Sequence, residues 1–258
     1  MQFRPCIDIH DGKVKQIVGG SIGGESLKEN FVASSGGDYY AKMYQKYGLS
    51  GGHAIILNKV GTPEYEASKE QARKALNAYP GGLMVGGGVQ PDNAEGFIAE
   101  GASHVIVTSF VFHDGHVDYD RLNQMVEAVG KEHLCLDLSV RIKDNQYYIV
   151  TDRWTKFTED ILTPQLLKQL ENYCSEYLIH AVDVEGKSSG IDERLVKLLA
   201  DYRQEGMNEV TYAGGVHSYE DLKTLKEQGN NQIHVTIGSA LDLFGGSLEL
   251  TKVLELCQ

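Results

Sequence analysis

Two aspartates sit half the chain apart in matching surroundings: Cys6-Ile7-Asp8-Ile9 and Cys135-Leu136-Asp137-Leu138. Each is a carboxylate near the end of an apolar run. Two carboxylates facing one ligand can divide labour, one ionised as a base and one protonated as an acid. Two further landmarks repeat in the same order at nearly the same offset. Gly86-Gly87-Gly88-Val89 returns as Ala213-Gly214-Gly215-Val216, and Thr108-Ser109-Phe110 returns as Gly238-Ser239-Ala240. Glycine turns and hydroxyls of this kind offer backbone amides to phosphate oxygens. Gly87, Gly88 and Ser109 form one candidate phosphate cradle, and Gly214, Gly215, Gly238 and Ser239 the other. The implied ligand carries phosphate at both ends, with Asp8 and Asp137 between them.

Three landmarks in one order indicate a duplicated half-unit. The elements that must carry them alternate. Apolar runs near 3–9, 53–58, 83–86, 104–108, 134–139, 177–184, 209–213 and 233–237 read as strands, separated by amphipathic helical patterns. Thr62-Pro63 and Thr163-Pro164 place a capping residue before proline at the first helical position, and Ser218 to Asp221 resembles a capping box. Glycines 48, 101, 130, 206 and 229 close helices.

Eight strand–helix units in 258 residues predict a (β/α)8 TIM barrel. The expected domain is a single barrel over 1–258, with half-barrel repeats of about 1–129 and 130–258. A doubly wound open sheet is the alternative, but it lacks the two-fold symmetry that a duplication supplies. In a barrel, active sites lie at the C-terminal ends of strands. Asp8 and Asp137 then end opposite strands, and Ala240 to Phe244 would be a short helix aimed at one phosphate.

Composition narrows the function. With 36 acidic and 24 basic residues the net charge is −12, which disfavours nucleic acid and anionic membrane as partners. No apolar stretch has the length of a membrane span, and Met1 to Pro5 does not read as a leader. Four cysteines without CxxC spacing read as reduced, buried thiols in a cytoplasmic protein. No metal-ligand, Walker, GxGxxG or triad pattern is present, so no metal and no cofactor is expected. No obligate protein partner is evident. Asp183 and Glu185, late in the sixth strand, either face the ligand or bond loop amides. Trp154, in a long loop after strand five, either stacks on a planar heterocycle or packs the loop. His53 and His180 read as satisfied core histidines.

The opening Arg4-Pro5-Cys6-Ile7-Asp8-Ile9-His10-Asp11-Gly12-Lys13-Val14-Lys15-Gln16-Ile17-Val18-Gly19-Gly20 resembles that of the phosphoribosylformimino-aminoimidazole carboxamide ribotide (ProFAR) isomerases of histidine biosynthesis. The resemblance continues through the glycine turns, Leu136-Asp137-Leu138, His180 to Gly186 and Gly238 to Asp242, and is greatest to the eukaryotic branch. It implies a cofactor-free Amadori rearrangement of a ribotide with two phosphates. Asp8 would be the base at ribose carbon 2, and Asp137 the acid position that assists ring opening. Gln16, Gly20, Trp154, Asp183 and Glu185 would be further substrate contacts. Glu185-Gly186 stands where bacterial members often carry Asp-Gly, which leaves open which strand-six carboxylate helps Asp137. Strand two also departs, with Leu57-Asn58-Lys59 where they often carry Asp. The cyclase that follows in the same pathway shares this duplicated barrel, and is the nearest rival. An isomerase that also accepts the tryptophan-pathway analogue is another. A non-catalytic phospho-ligand sensor would need the cradles but not both aspartates.

Overall fold

The computed structural model describes residues 1–17, 29–185 and 190–258. Gly20, Gly186 and Lys187 lie outside the described residues.

The chain opens with β1 (Cys6–His10), which turns through Asp11-Gly12 into β2 (Lys13–Ile17), paired in turn with β3 (Glu29–Val32). Then α1 (Gly37–Lys46), β4 (Gly52–Ile56), α2 (Pro63–Ala78), β5 (Leu83–Gly86), α3 (Pro91–Ala99) and β6 (Val105–Val107) follow. The small hairpin of β7 (Phe112–His113) and β8 (His116–Val117) precedes α4 (Tyr119–Val129) and β9 (Leu134–Asp137). A three-stranded antiparallel meander comes next: β10 (Val140–Lys143), β11 (Gln146–Thr151) and β12 (Lys156–Ile161). The order ends with α5 (Pro164–Leu170), β13 (Glu176–His180), α6 (Glu193–Arg203), β14 (Glu209–Ala213), α7 (Tyr219–Gln228), β15 (His234–Thr236) and α8 (Leu250–Cys257).

Strands β1, β4, β5, β6, β9, β13, β14 and β15 pair in parallel in that order. The ring closes outside the named strands. Phe3 bridges Val235 in parallel. The Arg4 N–H donates to the Val235 carbonyl at 2.8 Å, and the Val235 N–H to Gln2 at 3.0 Å. An open sheet would leave those amides as an edge. The fold is the (β/α)8 barrel, and the parallel alternative of an open doubly wound sheet is excluded by this closure.

Strand parity decides which side chains face the axis. On β1, Ile7 and Ile9 are fully buried under the helices, so Cys6 and Asp8 point inward. On β9, Leu134 and Leu136 are the outward pair, and Cys135 and Asp137 the inward one. Met84, Ile106, Cys135, Leu178 and Ala213 fill the barrel interior as a separate apolar cluster. The two halves thus repeat the same inward Cys-x-Asp step on opposite walls.

The expected caps form. The hydroxyls of Thr62, Thr163 and Ser218 accept N–H bonds from Tyr65, Leu166 and Asp221. Three expectations are corrected. The sixth strand stops at His180 instead of 184, because residues 182–185 turn and carry Glu185 over the mouth. The long loop after strand five is the β10–β12 meander. The short helix near 240 is a three-residue 3-10 turn, Asp242–Phe244, whose leading amides are engaged: Leu241 donates to Gly238 and Asp242 to Leu248. No helix among the described residues is long and apolar enough to cross a membrane.

Candidate active site

Two cavities open at the C-terminal ends of the barrel strands, and each receives one aspartate and one cradle. The first, about 500 Å³, is lined by Asp8, Gln16, His180, Glu185, Gly214 and Gly215, with Gly238 and Ser239 on its rim. The second, about 330 Å³, is lined by Asp137, Ser139, Gly88, Ser109 and Trp154.

Asp8 lies where burial penalises its charge. That burial, reinforced by the Glu185 carboxylate, pushes its carboxyl up to about 7, against the pull of His180 and a hydrogen bond from Gln16. Glu185 is also raised by burial, with His180 opposing. Asp137 is held differently. His180 Nδ1 lies 2.9 Å from its Oδ1, and the Ser139 hydroxyl donates to the same oxygen at 3.3 Å. Trp154 Nε1 donates to Ser139 at 2.9 Å, and its ring tilts over His180 at 5.9 Å between centroids. Burial alone would discharge His180, but the charge and hydrogen bond of Asp137, with Glu185 and Asp8, together outweigh it and push the imidazole up to about 9. His180 is therefore an imidazolium at neutral pH, set among three carboxylates. His53, buried deeper and repelled by His180, is pushed down to about 3 and is neutral.

At the glycine turns the structure shows a packing reason for glycine. Gly87 and Gly88 have φ of +104° and +69°. A Cβ on Gly87 would lie 2.1 Å from the Ile56 carbonyl oxygen, and one on Gly215 2.1 Å from that of Gly190. Neighbouring protein backbone demands glycine there. Ser109 starts the 3-10 turn Ser109–Val111 beside Gly88. Arg121 and Gln124 line the outer side of the same cradle.

The strand-six carboxylates separate. Asp183 accepts from Arg141 Nε at 3.0 Å and from the Ile142 N–H at 2.8 Å, docking β10. Glu185 faces the Asp8 cavity. Asn58 is committed to the β1–β2 turn, accepting from the Asp11 N–H at 2.9 Å and from Ser68 at 2.7 Å.

His180 is the largest departure from expectation: it is hydrogen-bonded, as expected, but to Asp137 at the lining of the Asp8 cavity instead of within the core. The sequence carried no signal for this, because the apolar run reads as a strand through to 184 and its end at His180 emerges only in the structure. Ser139 and Arg153 also line the Asp137 cavity and were not singled out as site residues. Arg153 and Trp154 sit with Asp152 in the β11–β12 turn at φ of +57°, +67° and +50°, a run that backbone sterics disfavour outside glycine. The fold also gathers Cys6, Asp8 and His53, whose potential ligand atoms lie within 4.8 Å of one another, a grouping that linear spacing did not reveal.

A family model described as histidine biosynthesis protein matches residues 2–248. The chain belongs to that family. Among similar members, a Medicago truncatula protein is 49% identical over 98% of this chain and 81% of its own length. It is named a chloroplastic 1-(5-phosphoribosyl)-5-((5-phosphoribosylamino)methylideneamino)imidazole-4-carboxamide isomerase. Proteins bearing the same isomerase name are 44% identical in Yarrowia lipolytica, over 95% of this chain and 93% of theirs, and 39% identical in Saccharomyces cerevisiae, over 100% and 97%. The family's barrel is the fold described above.

Proposed function

We propose that this chain is the intramolecular aldose–ketose isomerase of histidine biosynthesis, converting the aminoaldose ProFAR to its aminoketose by an Amadori rearrangement. One observation carries the reading: each of two cavities at one barrel mouth pairs an aspartate with a glycine–serine turn. A bis-phosphorylated substrate bridges them, one phosphate at Gly87, Gly88 and Ser109, the other at Gly214, Gly215, Gly238 and Ser239. The names of the relatives support the same substrate.

The chemistry follows the charges. The Asp137–His180 pair supplies a proton to the furanose ring oxygen as its bond to carbon 1 breaks. The lone pair of the exocyclic nitrogen forms the C1–N double bond. Asp8, poised near neutrality, removes the carbon 2 proton. The electrons form the C1–C2 double bond and return to nitrogen, giving an enolamine. Loss of the hydroxyl proton at carbon 2 and protonation at carbon 1 give the ketone. Atoms and charges balance, and no step needs a metal or a redox cofactor. Of the two strand-six carboxylates we assign Glu185 to the site, where its charge holds Asp8 basic, and Asp183 to the scaffold. Trp154 and Gln16 complete the substrate contacts, with Trp154 beside the heterocycle.

We read the domain as one barrel over 1–258 made of halves near 1–129 and 130–258, and its compartment as cytoplasmic, which four free buried thiols support. Purified protein turning over ProFAR, followed by absorbance, tests the function. Cyclisation of the aminoketose with ammonia, without isomerisation of ProFAR, would overturn it in favour of the cyclase.

A further inference from the structure

Three side chains of different chemistry meet in the wall of the Asp8 cavity. The parallel register of β1 and β4 sets Cys6 directly beside His53. The two-residue period of the strand puts Asp8 on the same inward face as Cys6. One ligand atom from each, thiol sulfur, imidazole nitrogen and carboxylate oxygen, lies within 4.8 Å of the others. The Cys6 thiol donates to the Ile237 carbonyl at 3.6 Å, just after the closing strand.

We propose that Cys6, Asp8 and His53 form an inhibitory site for a thiophilic divalent cation, zinc foremost. Thiolate, imidazole and carboxylate are the donor types that zinc takes. Tetrahedral bonds of about 2.0–2.3 Å place donors about 3.3–3.7 Å apart. From within 4.8 Å, the donors close by at most about 1.5 Å when the ion binds. Binding forms one bond each to sulfur, nitrogen and oxygen, and releases the thiol proton to solvent. Nothing is oxidised. Two anionic ligands neutralise the cation inside the barrel, and the fourth position faces the water-accessible cavity. The repeat supplies an internal contrast. Cys135 is the counterpart of Cys6, but its strand partners are Ile106 and Glu176, so no histidine completes a set there. Inhibition rests on the proposed role of Asp8 as base, because a coordinated carboxylate cannot accept the carbon 2 proton. Binding itself does not rest on that role.

Titration of the full chain with cobalt(II), read by absorbance, tests the site. One equivalent should give a thiolate-to-cobalt charge-transfer band that zinc abolishes. Cys6→Ala and His53→Gln should each lose the band, and Cys135→Ala should keep it. Circular dichroism checks that each variant is folded, and the two site variants back one another should either fail to fold. Zinc should inhibit ProFAR turnover, with recovery on adding EDTA, and Cys6→Ala should resist zinc. Absence of the band in the parent chain, or its persistence in folded Cys6→Ala, would overturn the site. Cobalt bound through Cys6 with turnover undiminished would overturn the inhibition and with it Asp8 as base, while leaving the site in place.

Discussion

The decisive residue-scale feature is the opposite treatment of two aspartates that look alike in sequence. Asp8 is raised toward neutrality by burial and Glu185. Asp137 is bound by an imidazolium. Asp8→Asn and Asp137→Asn should each lower kcat by about 10²–10⁴-fold, the usual scale of acid–base catalysis, while KM changes little. Near-parental kcat in both would remove the mechanism. The pH dependence follows from the signs. The base must be ionised, so activity rises as pH passes about 7. The acid side must hold its proton, so activity falls as pH passes about 9. His180→Gln should lower kcat and displace the alkaline limb specifically. An unchanged alkaline limb would assign that limb to another group.

At the scale of elements, the turns proposed to cradle phosphate are packed against neighbouring backbone. Gly87→Val and Gly215→Val should therefore destabilise the barrel instead of simply raising KM, because each Cβ would collide with a carbonyl oxygen. Thermal denaturation would separate the two effects. Ser109→Ala and Ser239→Ala test phosphate binding more cleanly. Each removes one charge-assisted hydrogen bond of about 1.5–3 kcal/mol and should raise KM by about 10–150-fold at unchanged melting temperature. The β10–β12 meander behaves as a separate device. Asp183 anchors its first strand, and the strained Asp152–Trp154 turn delivers the indole to Ser139. Asp183→Ala should loosen the meander and weaken substrate binding through Trp154, without moving either limb of the pH profile.

On the scale of the whole molecule, the fold is a closed ring of strands, and the proposed two-phosphate ligand would follow its two-fold repeat. Crystals soaked in sulfate should hold anions at both glycine–serine turns, on opposite rims, with Asp8 and Asp137 between them. Two anions on one side would refute the bis-phosphate reading. The net charge of −12 does not oppose this, because amides and helix termini act at contact distance while distant carboxylates are screened within about 8–10 Å.

The strand–helix alternation, the caps at Thr62, Thr163 and Ser218, the duplication and the aspartate pair were all legible in the chain itself. Each rests on local periodicity, turn chemistry or self-similarity, which linear order preserves. What the chain alone left open was settled by packing across strands. Asp183 and Glu185 are two residues apart and equally acidic, yet a turn after His180 sends one to the scaffold and the other to the cavity. His180 looks like any strand histidine until β9 brings Asp137 to 2.9 Å. Cys6, His53 and Asp8 show no ligand spacing, because their proximity is a matter of parallel register between β1 and β4. Charge, protonation and ligand geometry depend on which groups meet through space, and those neighbours come from strands far apart in the chain.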